Sequence, residues 1–220
     1  MIDLLKLEQE KLVKKIQKDK KKIAAEIDKK QKEAKGIDAK IKKLIAAEIA
    51  AANKRNAEKK KIAAPKEGTK EATKFVLSTE GKVASDNFKA NKGKLPWPVA
   101  NGGVSAKYGD QPHPVHKNLI IHNSGIEIET TAGATARAVF GGEVLQVQVI
   151  AANNKAVYIQ HGDFITVYLN LASVSVVKGQ KITIKQNIGQ IHTNSAGKSV
   201  IKFLVLQNTT TLNPELWLDR

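Results

Sequence analysis

The side chains able to hold a metal or move a proton are few and scattered in this 220-residue chain. It has five histidines and no cysteine, which excludes disulfides, thiol catalysis and thiolate metal sites. His113 and His116, in QPHPVHKN, have a His-x-x-His spacing, but they flank a proline in a loop and lack a third ligand. Adventitious surface histidines are the expected reading. His161, in QHGDF, is expected at a strand end or hairpin, and His192, in IHTNSAG, in an exposed loop. His122 lies an odd number of residues before Glu127, so on an undistorted strand the two point to opposite faces. Glu127 has no ordered partner acid, and the carboxylate pair of a glycosidase is therefore lacking. The oddest position is Lys202 in SVIKFLV, a cation set into an alternating, β-branched strand.

The elements that must position these groups fall into two kinds. From Leu5 to about Ile49, apolar residues recur at steps of three and four: Leu5, Leu12, Ile16, Ile23, Ile27, Ala34, Ile37, Ile41 and Leu44. That spacing predicts one stripe of a helix and a coiled coil, with its alternation interrupted near Lys20. A partner helix is needed, either from another chain or from a hairpin, and one hairpin would turn at AKGID, with Gly36 ending a helix and Asp38 capping the next. Around Ile37, Ile41, Leu44, Ile45, Glu48 and Ile49 the apolar face widens, which suits docking on a globular surface as well as a continued coiled coil. Pro65 and Gly68 then mark a polar linker. A short helix is expected from Ser78 or Thr79 to Asn91, pinned by Val83 and Phe88. The prolines around Trp97 impose an extended approach to a second region.

From Val104 the period becomes two, in NLIIHN, GIEIET, TARAVF, GEVLQVQVIAA, KAVYIQHG, FITVYLNL, QKITIK and SVIKFLVL, with turns such as FGGE and ANNK between them. This pattern predicts an antiparallel sandwich or barrel-like β domain. The expected class is α+β overall: a coiled-coil or helical arm over 1–63, a linker with a short helix over 64–94, and an all-β domain over 95–220.

The charge is unevenly shared. Residues 1–94 hold 27 Lys/Arg against 14 Asp/Glu, out of a chain total of 37 against 21. Such a basic extension attracts anionic polymers or lipids. Nucleic acid is not expected, because the cations are almost all lysine, no aromatic precedes Phe75, and no recognition motif is present. No apolar run is long enough to span a bilayer. The opening MIDLLKLEQE lacks the regions of a signal peptide and is already helical in period, so a natural N-terminus further upstream is expected.

Taken in order, GIEIETTAGATARAVFGGEVLQV, VYIQHGDFITVYLNL, VSVVKGQKITIKQNIGQI, SVIKFLV and LNPELWL resemble the LytM or lysostaphin-type zinc peptidase domain. The resemblance covers about residues 95–218. With the helical arm and NKGKLPWPV it is similar in particular to the EnvC group, division-associated proteins that activate cell-wall amidases. Active members of the family hold zinc by a His-x-Gly-x-Asp pattern and a His-x-His pair, with a further histidine in a Tyr-x-His-Leu segment. By that resemblance Gly125 anchors the first block, placing Asn123 and Glu127 at two ligand positions. Asn170 stands at the Tyr-x-His-Leu histidine, and Val200 and Lys202 at the His-x-His pair. An ammonium has no lone pair for a metal and repels a dication, while beside Glu127 it can replace zinc's positive charge.

The resemblance implies no cofactor and a regulator that binds rather than cleaves. Asn123, Glu127, Asn170 and Lys202 would line the partner groove. The implied partner is an N-acetylmuramoyl-L-alanine amidase whose inhibitory helix the groove captures, with the coiled coil leading to an ABC-transporter-like division complex and the setting periplasmic. Ile37, Ile41, Leu44, Ile45 and Ile49 are then candidates for a self-inhibitory arm. The alternatives are a surviving zinc metallo-endopeptidase, rebuilt from His122, His161 or the 113/116 pair, and a passive peptidoglycan-binding protein.

Overall fold

The structure is a computed structural model and describes residues 2–60, 73–112 and 120–219, with residues 2–7, 30 and 58–60 described by their backbone alone. Pro65, Gly68, His113 and His116 lie outside the described residues. The chain divides into two compact units, Met1–Ile41 and Lys42–Arg220.

Helix α1 runs unbroken over Ile2–Lys60. The turn expected at AKGID does not form, and Gly36 is helical. A single glycine among strong helix formers costs only about 1 kcal/mol, too little to end so long a helix without a second breaker. Within the first unit the front of the stripe predicted for a coiled coil is open to solvent, with Leu12, Ile16 and Ile23 at 58%, 49% and 39% exposure, whereas Ile27, Ala34 and Ile37 are half-buried and Ile41 is buried.

In the second unit α2 spans Thr79–Ala90 and is capped by Ser78, whose side chain accepts from the Gly81 N–H at 3.1 Å. Phe88 is fully buried as expected, whereas Val83 is exposed and does not pin the helix. The strands are β1 (Gly103–Ala106), β2 (Gly109–Pro112), β3 (Ile120–Asn123), β4 (Ile126–Thr130), β5 (Thr135–Arg137), β6 (Gly142–Ala151), β7 (Asn154–His161), β8 (Phe164–Val174), β9 (Lys181–Ile182), β10 (Asn187–Ile191), β11 (Ser199–Gln207) and β12 (Thr210–Leu212). The main sheet follows the order β1-β4-β11-β8-β7-β6-β9, all its named pairings being antiparallel, while β2 and β3 form a separate ribbon. The fold is thus a long helix followed by an antiparallel β domain.

Alternation sorts the long central strands into two faces. The inner face carries Val157, Ile159, Phe164, Tyr168, Ile201, Phe203 and Val205, which pack with Phe88 and Trp217 in the main core. The outer face carries Ala156 and Tyr158 from β7, Ile165, Val167 and Leu169 from β8, and Leu204 and Leu206 from β11. These too are buried. They stand in one patch because the register sets Tyr158 beside Val167 and Val167 beside Leu204.

The C-terminal part of α1 lies over this outer face. Gln146 on β6 is the cross-strand partner of Tyr158, and its Nε2 donates to Glu48 Oε1 at 3.4 Å. On the helix side that Glu48 flanks, Ile45 and Ile49 are fully buried. Burying an isoleucine is worth about 1.5–3 kcal/mol. Beyond them, Asn53 Nδ2 donates to Lys74 O at 2.8 Å and its Oδ1 accepts from Val76 N–H at 2.7 Å. That strap is held in turn by the Phe75 N–H donating to Asn208 Oδ1 at 2.9 Å.

Candidate functional site

The five positions singled out by the sequence occupy three strands and the end of a ribbon. Glu127 on β4 and Lys202 on β11 are direct cross-strand partners, and Val200 faces Glu129 two residues away. All three are half-buried. In that register opposite charges attract across the ladder. Beside this row, Lys198 Nζ, one residue before β11, lies 3.0 Å from Glu129 Oε1 on β4.

Asn170 has φ 68°, a left-handed conformation that asparagine tolerates better than most residues. Its Nδ2 donates to Val200 O at 2.6 Å, and its carbonyl accepts from His192 N–H at 2.9 Å. Asn170 therefore ties β8 to β11 just past the point where their ladder ends at Leu169 and Lys202. His192 is half-buried rather than exposed, since this bond draws its backbone against β8.

Asn123 closes β3 and is buried. Its Oδ1 accepts from Gly125 N–H at 3.3 Å, while Nδ2 has no partner among the described residues. The structure thus joins Glu127 to Lys202 and Asn170 to Val200, whereas Asn123 bonds locally. Gly125 is fixed by space: a Cβ there would lie 2.4 Å from the Phe203 carbonyl oxygen.

His122 does not extend the strand of Glu127. The chain bends at Ser124 and Gly125, and β3 and β4 belong to different sheets. The alternation argument for His122 thus loses its premise, a single undistorted strand. Its Nδ1 meets Asp110 Oδ1 at 2.6 Å on the β2–β3 ribbon, in the open.

His161 proves more than a strand-end residue. It is fully enclosed, stacked on Phe88 with ring centroids 4.7 Å apart. Its Nδ1 lies 2.7 Å from Gly141 O and its Nε2 2.9 Å from Thr166 Oγ1. A carbonyl only accepts, so Nδ1 carries the proton and Nε2 takes the threonine hydroxyl's. Burial pushes the imidazole down to about 4, the Gly141 bond opposing. Tyr168 Oη is 3.2 Å from Thr166 Oγ1 and accepts from Val139 N–H at 3.0 Å, and burial raises this phenol to about 12. Sequence spacing gave no sign of this network, because its members come from four separate segments.

Chemically, these five positions offer a carboxylate, an ammonium, two amides and an isopropyl group. Zinc needs convergent lone pairs, and of these only the carboxylate is a ready donor. No group of three or more His, Cys, Asp or Glu that could hold a metal occurs among the described residues, and none of the helices searched among them is long and apolar enough to cross a membrane. The residue types suit polar contacts to a peptide or helix beside the apolar patch of Leu169 and Leu204.

No curated protein matches the chain. Solved structures similar to it include the SpoIIQ-SpoIIIAH pore forming complex, at 21% identity over 57% of this chain and 90% of that one, TM-score 0.47. Helicobacter pylori Csd3 is 24% identical over 57% of this chain and 35% of its own, TM-score 0.48. A zinc containing peptidase from Vibrio cholerae is 22% identical over 56% of this chain and 40% of its own, TM-score 0.46. Function does not follow from likeness of this degree. The long helix is followed by an antiparallel β domain, and residues 121–214 of that domain match Peptidase family M23.

Proposed function

We propose that this protein is a non-catalytic regulator of the LytM type that binds and activates a cell-wall N-acetylmuramoyl-L-alanine amidase, and that α1 restrains it. One observation carries the reading. The apolar outer face, covered by Ile45 and Ile49, runs without interruption into the row of Leu169, Lys202 and Glu127 on the same side of the same sheet. A helix already lies where an amphipathic partner helix would dock, so partner and arm exclude one another. Ile45 and Ile49, with the half-buried Leu44, form the covering part of the arm. Ile37 and Ile41 belong to the other unit.

The donor set supports a binding rather than a hydrolytic role, since Lys202 and Val200 stand where the family resemblance puts a histidine pair. With one ready metal donor among them, these side chains do not assemble the zinc that would acidify an attacking water. The cell-wall partner and a periplasmic setting come with that resemblance, as does an ABC-transporter-like complex at the far end of the helix.

The test is capture of candidate amidases, and release of dye from labelled sacculi, by the full chain, by Ile45→Asp/Ile49→Asp, and by a chain lacking residues 1–63. Both altered chains should bind and activate better than the full one. Equal binding by all three would remove the restraint. Binding by none would remove the partner. Cleavage of cross-linked muropeptides by the full chain alone would restore the metallo-endopeptidase.

A further inference from the structure

The arm is held by its apolar stripe and by polar bonds at two places, Glu48 and the Asn53–Asn56 end, where Asn56 Nδ2 also donates to Val76 O at 3.1 Å. Glu48, with 13% of its side chain exposed, accepts from Lys178 Nζ at 2.6 Å and from Gln146 Nε2 at 3.4 Å. Farther along, the buried Asn53 makes paired bonds to the Lys74 carbonyl and the Val76 N–H, as one strand bonds another. At 100° per residue, Glu48 stands about 60° to one side of Ile45 and Asn53 about 40° beyond Ile49 on the other. The two polar groups therefore flank the stripe. An apolar stripe alone tolerates sliding and rolling, whereas two flanking bonds fix both.

Their counterparts belong to the body under the helix. Lys178 sits in a turn closed by the Val177 N–H on Gln180 Oε1 at 3.0 Å and anchored by the Gly179 N–H on Val144 O at 2.7 Å. The 74–76 strap is fastened to Asn208, as described above. Each therefore has at least one hold of its own away from α1.

Resting on the displacement reading above, we propose that the outer face selects its partner by these same two points. The partner is an amphipathic helix with the spacing apolar-x-x-acid-apolar-x-x-x-carboxamide, the pattern of Ile45, Glu48, Ile49 and Asn53. Its carboxylate meets Lys178 and Gln146, and its carboxamide bonds the backbone of the strap. A helix with a base at the acid position is rejected, because it sets two cations together at a partly dehydrated edge.

The test uses the full chain opened by Ile45→Asp/Ile49→Asp, with faster amide exchange over residues 42–57 as proof of opening. The probes are two fluorescent peptides of the sequence 42–57, one native and one carrying Glu48→Lys. At low salt the native peptide should bind at least about fivefold more tightly, a ratio that one partly exposed charge pair supplies. Adding Lys178→Glu to the opened chain should invert the preference. Equal binding of both peptides to both chains overturns the polar code and leaves helix capture standing. Binding of neither peptide to a chain whose helix is open overturns both.

Discussion

The two faces of the central sheet are equally buried and differently built. The inner face is closed by groups drawn from all over the second unit: Phe88 of α2 stacks on His161 and Phe164, and Trp217 near the C-terminus completes the cluster. The outer face is closed by part of one helix and one strap, through Ile45, Ile49 and a few polar bonds. A seal with many independent attachments opens only when the domain unfolds, whereas a seal on a single element can open alone. The difference makes the inner face a stability device and the outer face a candidate for regulated exposure.

The largest effect that would sharpen this contrast is at Phe88. Phe88→Ala empties the centre of the aromatic cluster and should cost about 3–5 kcal/mol of global stability, read as a lower urea midpoint by circular dichroism. A loss of less than about 1 kcal/mol would mean that α2 is an ornament.

His161 supplies the next effect, through pH. Its imidazole falls from 6.5 to about 4 on folding, so the unfolded chain binds the extra proton between those values. Stability is then complete above about pH 6.5 and is lost as the pH drops through about 4, by about 3 kcal/mol in all. Urea midpoints from pH 7 to pH 4 should slope downward in the native chain, with a shallower slope in His161→Phe. An unchanged slope in the variant would assign the acid sensitivity to another group.

On the outer face, Ile49→Ala should cost about 2 kcal/mol, but locally. Amides of residues 42–57 should exchange about thirtyfold faster, while the urea midpoint of the β domain stays put. If the midpoint falls in step with the exchange, the two faces form one cooperative unit and the distinction between them fails.

How much of this could be read from the sequence differs between the faces. The longer strands of the main ladder were legible because period-two alternation survives wherever two faces differ, and α2 was legible through Ser78 and Phe88. The short strands Gly103–Ala106, Gly109–Pro112, Asn187–Ile191 and Thr210–Leu212 were not named as separate elements, since pieces of three to five residues carry too little pattern. The widened face at Ile45 and Ile49 was visible, but it read as well as a continued coiled coil as a docking surface, and its counterpart was not visible. Tyr158, Val167 and Leu204 reach one patch only through pairing register, which a sequence does not state. Lys202 stood out as a cation in an alternating strand, but its pairing with Glu127 was suggested through resemblance alone, and the bend at Ser124 that removes His122 from their strand has no period to betray it.

The smallest effect concerns the seam where the outer face meets the candidate groove. Asn170 there combines a left-handed backbone with a side-chain bond to Val200 O. Asn170→Gly keeps the backbone unstrained and removes only the bond, a loss of about 1 kcal/mol. Asn170→Ala also loses the bond and puts there a residue that tolerates the left-handed region less well than asparagine, about 1 kcal/mol more. If the seam belongs to the inner-face unit, both losses should register in the global urea midpoint, with faster exchange at the Val200 end of β11 as a secondary sign. If they register in the exchange of residues 42–57 instead, the groove strands are coupled to the arm, and removing the arm would reshape the groove as well as expose it.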